Sequence, residues 1–395
     1  MKHAAEQAKY TGYAIVTDGL WRKSISVIRA LGKARYHICV IGDSYLTTGF
    51  WSRYTCKRFI STCASDDPDA FGRGLFTLLS SYGKIKPIIF PMEDASLIWC
   101  SAHRQELEKK AYILLPPEDS LTLAENKLNT LKFAIAQGFS CPATFFPESI
   151  NEYHQVLTET VFDDVVLKPY TGSGSRGIVY LKKGECFDIE KYLERYKGAV
   201  IQERLDTSGD AFGVSVLMNS KSQPVAHFIH KRLEQFPNSG GPSTQRISIR
   251  DDALLQESVR LLKLLHWTGI AMVEWKMNIK TGTPVLMEIN PRFWGSLELA
   301  VRSGVNFPVL YAKLAQGKQI REQTEYAYGI RCTWLLPGDI LRYLTKKTRE
   351  PLKSFLTSSI KTCEEWDWSD KRIFFASLLC QALLVLRPKY WKYLR

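Results

Sequence analysis

Glu288 and Asn290 stand two residues apart in Val285-Leu286-Met287-Glu288-Ile289-Asn290-Pro291-Arg292, and Glu274 follows the alternating run that begins at Gly269. With a turn over Lys280 to Pro284 between them, the two stretches read as antiparallel strands. Residues two apart on a strand share a face, and Glu274 on the partner strand can lie opposite them. Two carboxylates and an amide oxygen converging on one point make a hard, oxygen-rich site. Such a site suits Mg²⁺, or Mn²⁺ in its place, held jointly with nucleotide phosphates. The alternative is a polar strand face turned to water, as antiparallel sheets often have.

A second stretch, Val165 to Gly177, reads as an apolar strand that ends in Lys168 and runs into a loop of small residues. Lys168 would leave the strand end as a point charge. Gly172, Gly174 and Gly177 let the backbone bend sharply, and with Ser173 and Ser175 they would turn N–H groups toward an anion. The loop matches neither G-x-x-x-x-G-K-[ST] nor G-x-G-x-x-G, so it is not a Walker loop or a dinucleotide fingerprint. A glycine-rich hairpin tip without a ligand is the alternative.

Taken together, the two stretches resemble the ATP-grasp superfamily, in order from about Leu121 to Leu314. The resemblance implies two α+β lobes clamping ATP, and it assigns further residues. Lys127 would be the lysine opening a helix that stops at Gly138 before Pro142. Lys168 would be the strand lysine, and Val200 to Leu205 the hinge. Gln202, Glu203 and Leu205 would meet the adenine edge, and Asp210 the ribose, with Asp206 as the other candidate. Glu274, Glu288 and Asn290 would be the metal ligands. The expected fold is a mixed α/β and α+β ATP-grasp architecture with a Rossmann-like domain over residues 1–118, the grasp lobes over 119–315, and a mostly helical extension over 316–395.

The chemistry implied is that of a carboxylate-amine ligase, similar in its catalytic lobes to the carbamoyl phosphate synthetase large chain, biotin carboxylase and D-alanine-D-alanine ligases. A carboxylate attacking the γ-phosphorus of ATP meets a polyanion, so cations must offset the repulsion. Lys127 and Lys168 would serve the α- and β-phosphates, and Arg292 the transferred group through its planar fork. An amine would then attack the acyl phosphate and expel phosphate. His230-Lys231-Arg232 leads into a Pro/Gly/Ser loop that could close over the substrates, with Lys231, Arg232 and Arg246 adding charge. A kinase acting on a hydroxyl or carboxylate, and a non-catalytic ATP binder, are alternatives on the same fold.

Ahead of the grasp region, the runs Tyr13–Val16, Tyr36–Ile41 and Pro87–Phe90 alternate with helical periodicity, as in a small parallel α/β domain. Thr17-Asp18-Gly19 is a strand-to-helix turn that could touch a ligand. Glu93 and Asp94, at the end of the Pro87 run, read as surface acids, with substrate contacts as the alternative. From Asp339 to Arg395 there are twelve Lys or Arg against six Asp or Glu, and Ile373 to Leu386 is an uncharged, mostly apolar run. That run suits a helix packed on the grasp lobes, or a peripheral membrane contact by residues 373–395 with Arg387, Lys389, Lys392 and Arg395 facing anionic lipid.

The net charge of +13 would also serve a nucleic-acid binder. No basic stripe or nucleic-acid module is legible, so small-molecule carboxylate and amine substrates are expected and nucleic acid is not. Nine cysteines without a C-x-x-C spacing suggest reduced thiols in a cytoplasm, with the membrane's inner surface as the alternative address. A homodimer is the default assembly.

Overall fold

The computed structural model describes residues 9–172, 176–237, 240–345 and 351–385. Its first layer grows from short apolar runs: β1 (Gly12–Val16), β2 (Tyr36–Gly42), β3 (Thr55–Ile60) and β4 (Ile88–Phe90), all parallel in the order β3-β2-β1-β4. Helices Arg22–Lys33 and Pro68–Ser80 cover the sheet's two faces. The second starts where Asp67 accepts a hydrogen bond from Ala70 N and Pro68 supplies a preset φ. β3 is an edge strand whose residues alternate between half-buried and exposed, so it has no apolar run for the eye to catch.

A second, antiparallel sheet contains β5 (Thr144–Phe145), β6 (Asp164–Pro169), β7 (Val179–Lys182) and β8 (Ala199–Glu203) in the order β5-β8-β6-β7. Val165, Leu167, Ala199 and Ile201 pack on Tyr153 and Leu157 of helix Ile150–Glu159 and on Ile189 and Tyr192 of helix Ile189–Tyr196. The period of two turns Val166, Lys168 and Gln202 to the opposite face, which lines a cleft.

The third sheet is the largest, in the order β13-β12-β9-β10-β11-β14, with β9 (Ala211–Met218), β10 (Pro224–Gln235), β11 (Ser243–Ile249), β12 (Gly269–Asn278), β13 (Thr283–Asn290) and β14 (Arg331–Thr333). Its β9 and β12 residues Val214, Val216, Ala271 and Val273 bury against Leu254, Leu261 and Leu262 of helix Asp252–Leu264. The other face shares a core with the first layer, where Leu217, Ile270 and Met272 meet Val16, Phe90, Phe293 and Tyr311.

The chain after Gln316 returns to this sheet. Gln323 bridges to Ala226, β14 pairs with β11, and helices Ile340–Thr345, Leu352–Lys361 and Lys371–Val385 follow. Ion pairs fasten this segment to helix Arg22–Lys33: Arg22 to Glu364 at 3.0 Å, Arg29 to Asp370 at 3.4 Å and Lys33 to Asp367 at 2.6 Å.

Candidate active site

Between the second and third sheets lies a cleft of about 510 Å³. From the small sheet it takes Lys168, Gln202, Glu203 and Leu205, and from the large one Arg232, Glu274, Lys276 and Glu288, with Lys127 and Asp210 at its edges.

Lys127 opens helix Lys127–Ala136, whose N-cap Asn126 accepts from Leu128 N at 2.9 Å and Asn129 N at 3.3 Å. Its backbone N–H donates to Tyr170 O at 2.7 Å and its Nζ to Gly172 O at 2.5 Å. The helix start is thereby pinned to the loop after β6. Gly172 has φ +114° and Gly177 φ +72°, and a Cβ on Gly177 would lie 2.7 Å from the Pro169 and Tyr196 side chains, so the loop needs glycine there. Ser173, Gly174 and Ser175 lie outside the described residues.

Lys168 is recessed at the end of β6. Burial pushes its ammonium down to about 8; Glu288 opposes that shift and Lys127 adds to it.

On β8, Gln202 Nε2 donates to Thr144 Oγ1 at 2.8 Å, while its Oε1 is buried without a partner. Glu203 takes the Ala143 N–H at 2.9 Å through its carboxylate, and its own backbone N–H donates to Ala143 O at 2.9 Å. Asp206 is turned onto Ser208, accepting from its N and Oγ, each at 2.7 Å, and those two bonds hold its carboxyl below the usual range. Asp210 lines the cleft and receives Lys231 Nζ at 2.6 Å.

Glu274 and Glu288 sit directly opposite each other across β12 and β13, and Asn290 lies opposite Met272. Asn290 Nδ2 is 3.2 Å from Glu274 Oε1 and 3.4 Å from Glu288 Oε1, so all three side chains meet at one point. Rotating the amide by half a turn would present its oxygen instead. Arg232 Nη2 donates to Glu274 Oε2, and Lys127 Nζ is 3.8 Å from Glu288 Oε2. Burial raises the Glu274 carboxyl, Arg232 opposes that, and Glu288 adds to it. Among the described residues no group of three His, Cys, Asp or Glu converges on a metal position. Two carboxylates and an amide leave the remaining positions of an octahedral Mg²⁺ to phosphate oxygens and water, the usual way this ion is held.

Arg292, just past β13, grips Asp94, which the sequence reading placed at the surface or against substrate. Its Nε and Nη2 donate to the two oxygens of Asp94, the second at 3.2 Å, and Nη1 to Phe293 O at 3.3 Å. Burial disfavours the charge, yet Asp94 and Glu93 hold the guanidinium above its ordinary value. Glu93 in turn pairs with buried Lys23 at 2.7 Å. Glu93 and Asp94 are therefore not solvated surface acids: they open helix Asp94–Ala102, which packs on the core of the parallel sheet, and Asp94 reaches across to Arg292. Thr17 and Asp18 join the same cluster through Ser96, whose Oγ donates to Asp18 Oδ2 at 2.7 Å.

Glu125 shares a small recess with Asp94, Lys127, Glu288 and Asn290. Burial and then Asp94 push its carboxyl up to about 7, and its Oε1 has no partner. Lys231 faces Asp210, and Arg232 faces the acidic pair. Arg246 lies opposite Arg232 in register, but its guanidinium is buried against Glu364 beside β14, which corrects its expected place at the reacting phosphate. His230 is buried with Nε2 3.2 Å from Ser296 Oγ, a packing position.

Sequence reasoning overlooked Lys276, Arg176 and Glu125. Lys276 follows Glu274 by two on β12, so strand periodicity alone could have placed it in the cleft.

Two sheets closing on such a cleft, behind a parallel α/β layer, define the ATP-grasp fold, and this chain has it. A family model described as ATP-grasp in the biosynthetic pathway with Ter operon matches residues 229–336, the stretch that holds Lys231, Arg232, both acids, Asn290 and Arg292. The tetrahydromethanopterin:alpha-L-glutamate ligase of Methanocaldococcus jannaschii is 32% identical over 116 residues, which are 27% of this chain and 39% of that protein. The match thus spans about two-fifths of that relative's length.

Among solved structures, the biotin carboxylase–β,γ-ATP complex of Campylobacter jejuni superposes with TM-score 0.65 at 12% identity, over 82% of this chain and 75% of that one. The biotin carboxylase domain of 2-oxoglutarate carboxylase from Hydrogenobacter thermophilus, in complex with MgADP and bicarbonate, gives 0.64 at 13%, over 80% and 73%. N5-carboxyaminoimidazole synthetase of Staphylococcus aureus with ADP gives 0.61 at 14%, over 82% and 81%.

Proposed function

We propose that the chain is an ATP- and Mg²⁺-dependent ligase that joins a small-molecule carboxylate to an amine through an acyl phosphate, releasing ADP and phosphate. The observation that carries the reading is the meeting of Glu274, Glu288 and Asn290 at one point, the two acids lining the same cleft as Lys127, Lys168 and Arg232. The activities of similar proteins agree with it: one is a tetrahydromethanopterin:alpha-L-glutamate ligase and another an N5-carboxyaminoimidazole synthetase.

In this reading Glu203 and Leu205 border the adenine with Gln202 behind them, and Asp210 takes the ribose, since Asp206 is engaged by Ser208 and lies off the cleft lining. Lys127, Lys168 and the loop backbone at Gly172 and Gly177 hold the phosphates. Glu274, Glu288 and Asn290 hold the metal, which when bound supplies charge to offset that of the β- and γ-phosphates. A carboxylate oxygen attacks the γ-phosphorus, the bond to the β-phosphate oxygen breaks, and ADP leaves. Arg232 and Arg292 face the charge that develops on the transferred group. The amine nitrogen then attacks the acyl carbon, the C–O bond to phosphate breaks, and the nitrogen gives up a proton. Lys231 acts at one remove, by fixing Asp210. The nine cysteines are all free thiols, which suits a reducing cytoplasm.

The test is ATP turnover with Mg²⁺ against pooled amino acids and small carboxylates, following ADP and phosphate separately in wild type and Glu288→Gln. Release of both, dependent on the pool and lowered on the order of 10³-fold in the variant, is expected, because a metal contact is worth several kcal/mol in the transition state. ADP without phosphate would make the protein a kinase. Full activity in Glu288→Gln would overturn the site.

A further inference from the structure

The C-terminal segment sorts its charges by direction. Every acid of the described residues from Ile340 to Val385 is turned inward. Glu364 meets Arg22 and Arg246, and Glu365 accepts from Leu336 N at 2.9 Å. Asp367 meets Lys33, and Asp370 accepts from Ser52 Oγ at 2.7 Å and Arg53 N at 2.9 Å. Lys353, Lys361, Lys371 and Arg372 stand exposed.

Between those cations the same helices point apolar side chains at solvent. Helix Lys371–Val385 packs through Ile373, Ser377 and Cys380, and it exposes Phe375 (61%), Leu378 (42%), Leu379 (60%) and Ala382. The spacing of i, i+3, i+4 and i+7 puts these four on one stripe. Helix Leu352–Lys361 packs through Phe355 and Ser359 and exposes Leu352, Leu356 and Ile360, again a single stripe. Both helices bury their inner side on one small core, through Phe355 and Phe374. Trp368 is 74% exposed, with Lys371 Nζ 4.6 Å from its ring centroid.

A helix face turned to water is ordinarily polar, and an exposed apolar stripe rimmed by charge marks a docking surface. We propose that these two helices seat the protein on an anionic lipid bilayer, with the apolar stripes entering the headgroup boundary and the four cations meeting lipid phosphates. Charge selects this occupant. A second copy using the same face would set the four cations against their own counterparts, with no outward acid among the described residues of the segment to offset them. Phosphate contacts along a nucleic acid need cations but not exposed Phe and Leu. The contact lies in the membrane plane: 15 residues of helix reach about 22 Å, short of the roughly 30 Å hydrocarbon core, and no helix among the described residues is long and apolar enough to cross. Nothing in this inference depends on the ligase chemistry.

The test is co-sedimentation of the full chain with vesicles of phosphatidylcholine alone and of phosphatidylcholine mixed with phosphatidylglycerol. Binding to the mixed vesicles only, weakening with salt, is expected. The Phe375→Ser/Leu379→Ser variant should lose at least tenfold in partitioning, from the apolar area withdrawn. The Lys371→Glu/Arg372→Glu variant should lose at least about fivefold per charge. All four side chains are exposed, so the variants should keep the wild-type circular dichroism, which is checked alongside. No binding at low salt, undiminished binding in both folded variants, or a dimer by light scattering that the Phe375→Ser/Leu379→Ser variant abolishes would each overturn the proposal.

Discussion

The cleft and the C-terminal helices use charge in opposite ways. In the cleft, cations and acids from different elements point at one another: Arg232 at Glu274, Lys127 toward Glu288, Lys231 at Asp210. Each charge is partly compensated yet within reach of a ligand that could redistribute the pairing, as a nucleotide with its metal would. In the C-terminal segment the described acids are turned inward, onto Arg22, Arg29, Lys33 and Arg246 among others, and the described cations left outside have no acid to answer them. A small polyanion suits the first arrangement, and an extended anionic surface the second.

The largest effect that could break this comparison is expected at Arg292. If Arg292 serves the transferred phosphoryl group as proposed, turnover in Arg292→Ala should fall roughly 10²- to 10³-fold, as when one preorganised donor is removed from a transition state. ATP affinity, measured by direct titration, should hold. A loss of affinity equal to the loss of turnover would mean that Arg292 serves ground-state binding or the fold. The Asp94 contact makes that distinction necessary, because removing the guanidinium also leaves Asp94 without its forked partner.

The next effect belongs to the other region. Glu364 is buried and faces Arg22 and fully buried Arg246. Glu364→Ala would strand two guanidiniums in low dielectric, at a cost of about 3–5 kcal/mol. The midpoint of urea unfolding, followed by tryptophan fluorescence, should drop accordingly. Mg-ATP binding below the transition should survive, since no cleft residue is touched. Unchanged stability would show that the inward pairs do not hold the C-terminal segment in place.

What could be read in advance follows from how far each feature reaches along the chain. The strand pair carrying Glu274, Glu288 and Asn290 was legible because a period of two and a short turn are local. The helix over Lys371–Val385 was legible as a helix from its uncharged run. Its outward side was not, because a segment apolar on all faces gives no periodic sign of which one packs. The Asp94–Arg292 fork joins residues 198 apart, and no local pattern announces such a contact. Arg246 was misplaced for the same reason: it pairs in register with Arg232 and shares its face of the sheet, but its guanidinium is taken by Glu364, a residue far along the chain that no local pattern announces, while Arg232 goes to Glu274. The order of the large sheet, with β9 between β12 and β10, likewise depends on pairings between distant strands.

The smallest expected effect probes the cleft's compensation most directly. Lys168 keeps its proton only up to about 8, because burial disfavours the ammonium more than Glu288 favours it. For a lysine with a lowered value the charge is present below about pH 8 and lost above it, so its attraction for nucleotide phosphate disappears as pH rises through that point. Values of kcat/KM for ATP report on groups of the free enzyme. They should fall about 10- to 100-fold across pH 7 to about 10, the worth of a hydrogen bond to a charged group. Lys168→Arg keeps a cation throughout this range and should flatten the high-pH limb, even if its longer fork lowers the plateau. A wild-type profile level to about pH 10, where an ordinary lysine begins to titrate, would show that Lys168 is solvated like any surface lysine. The small sheet would then contribute its loop backbone, and not this charge, to the phosphates.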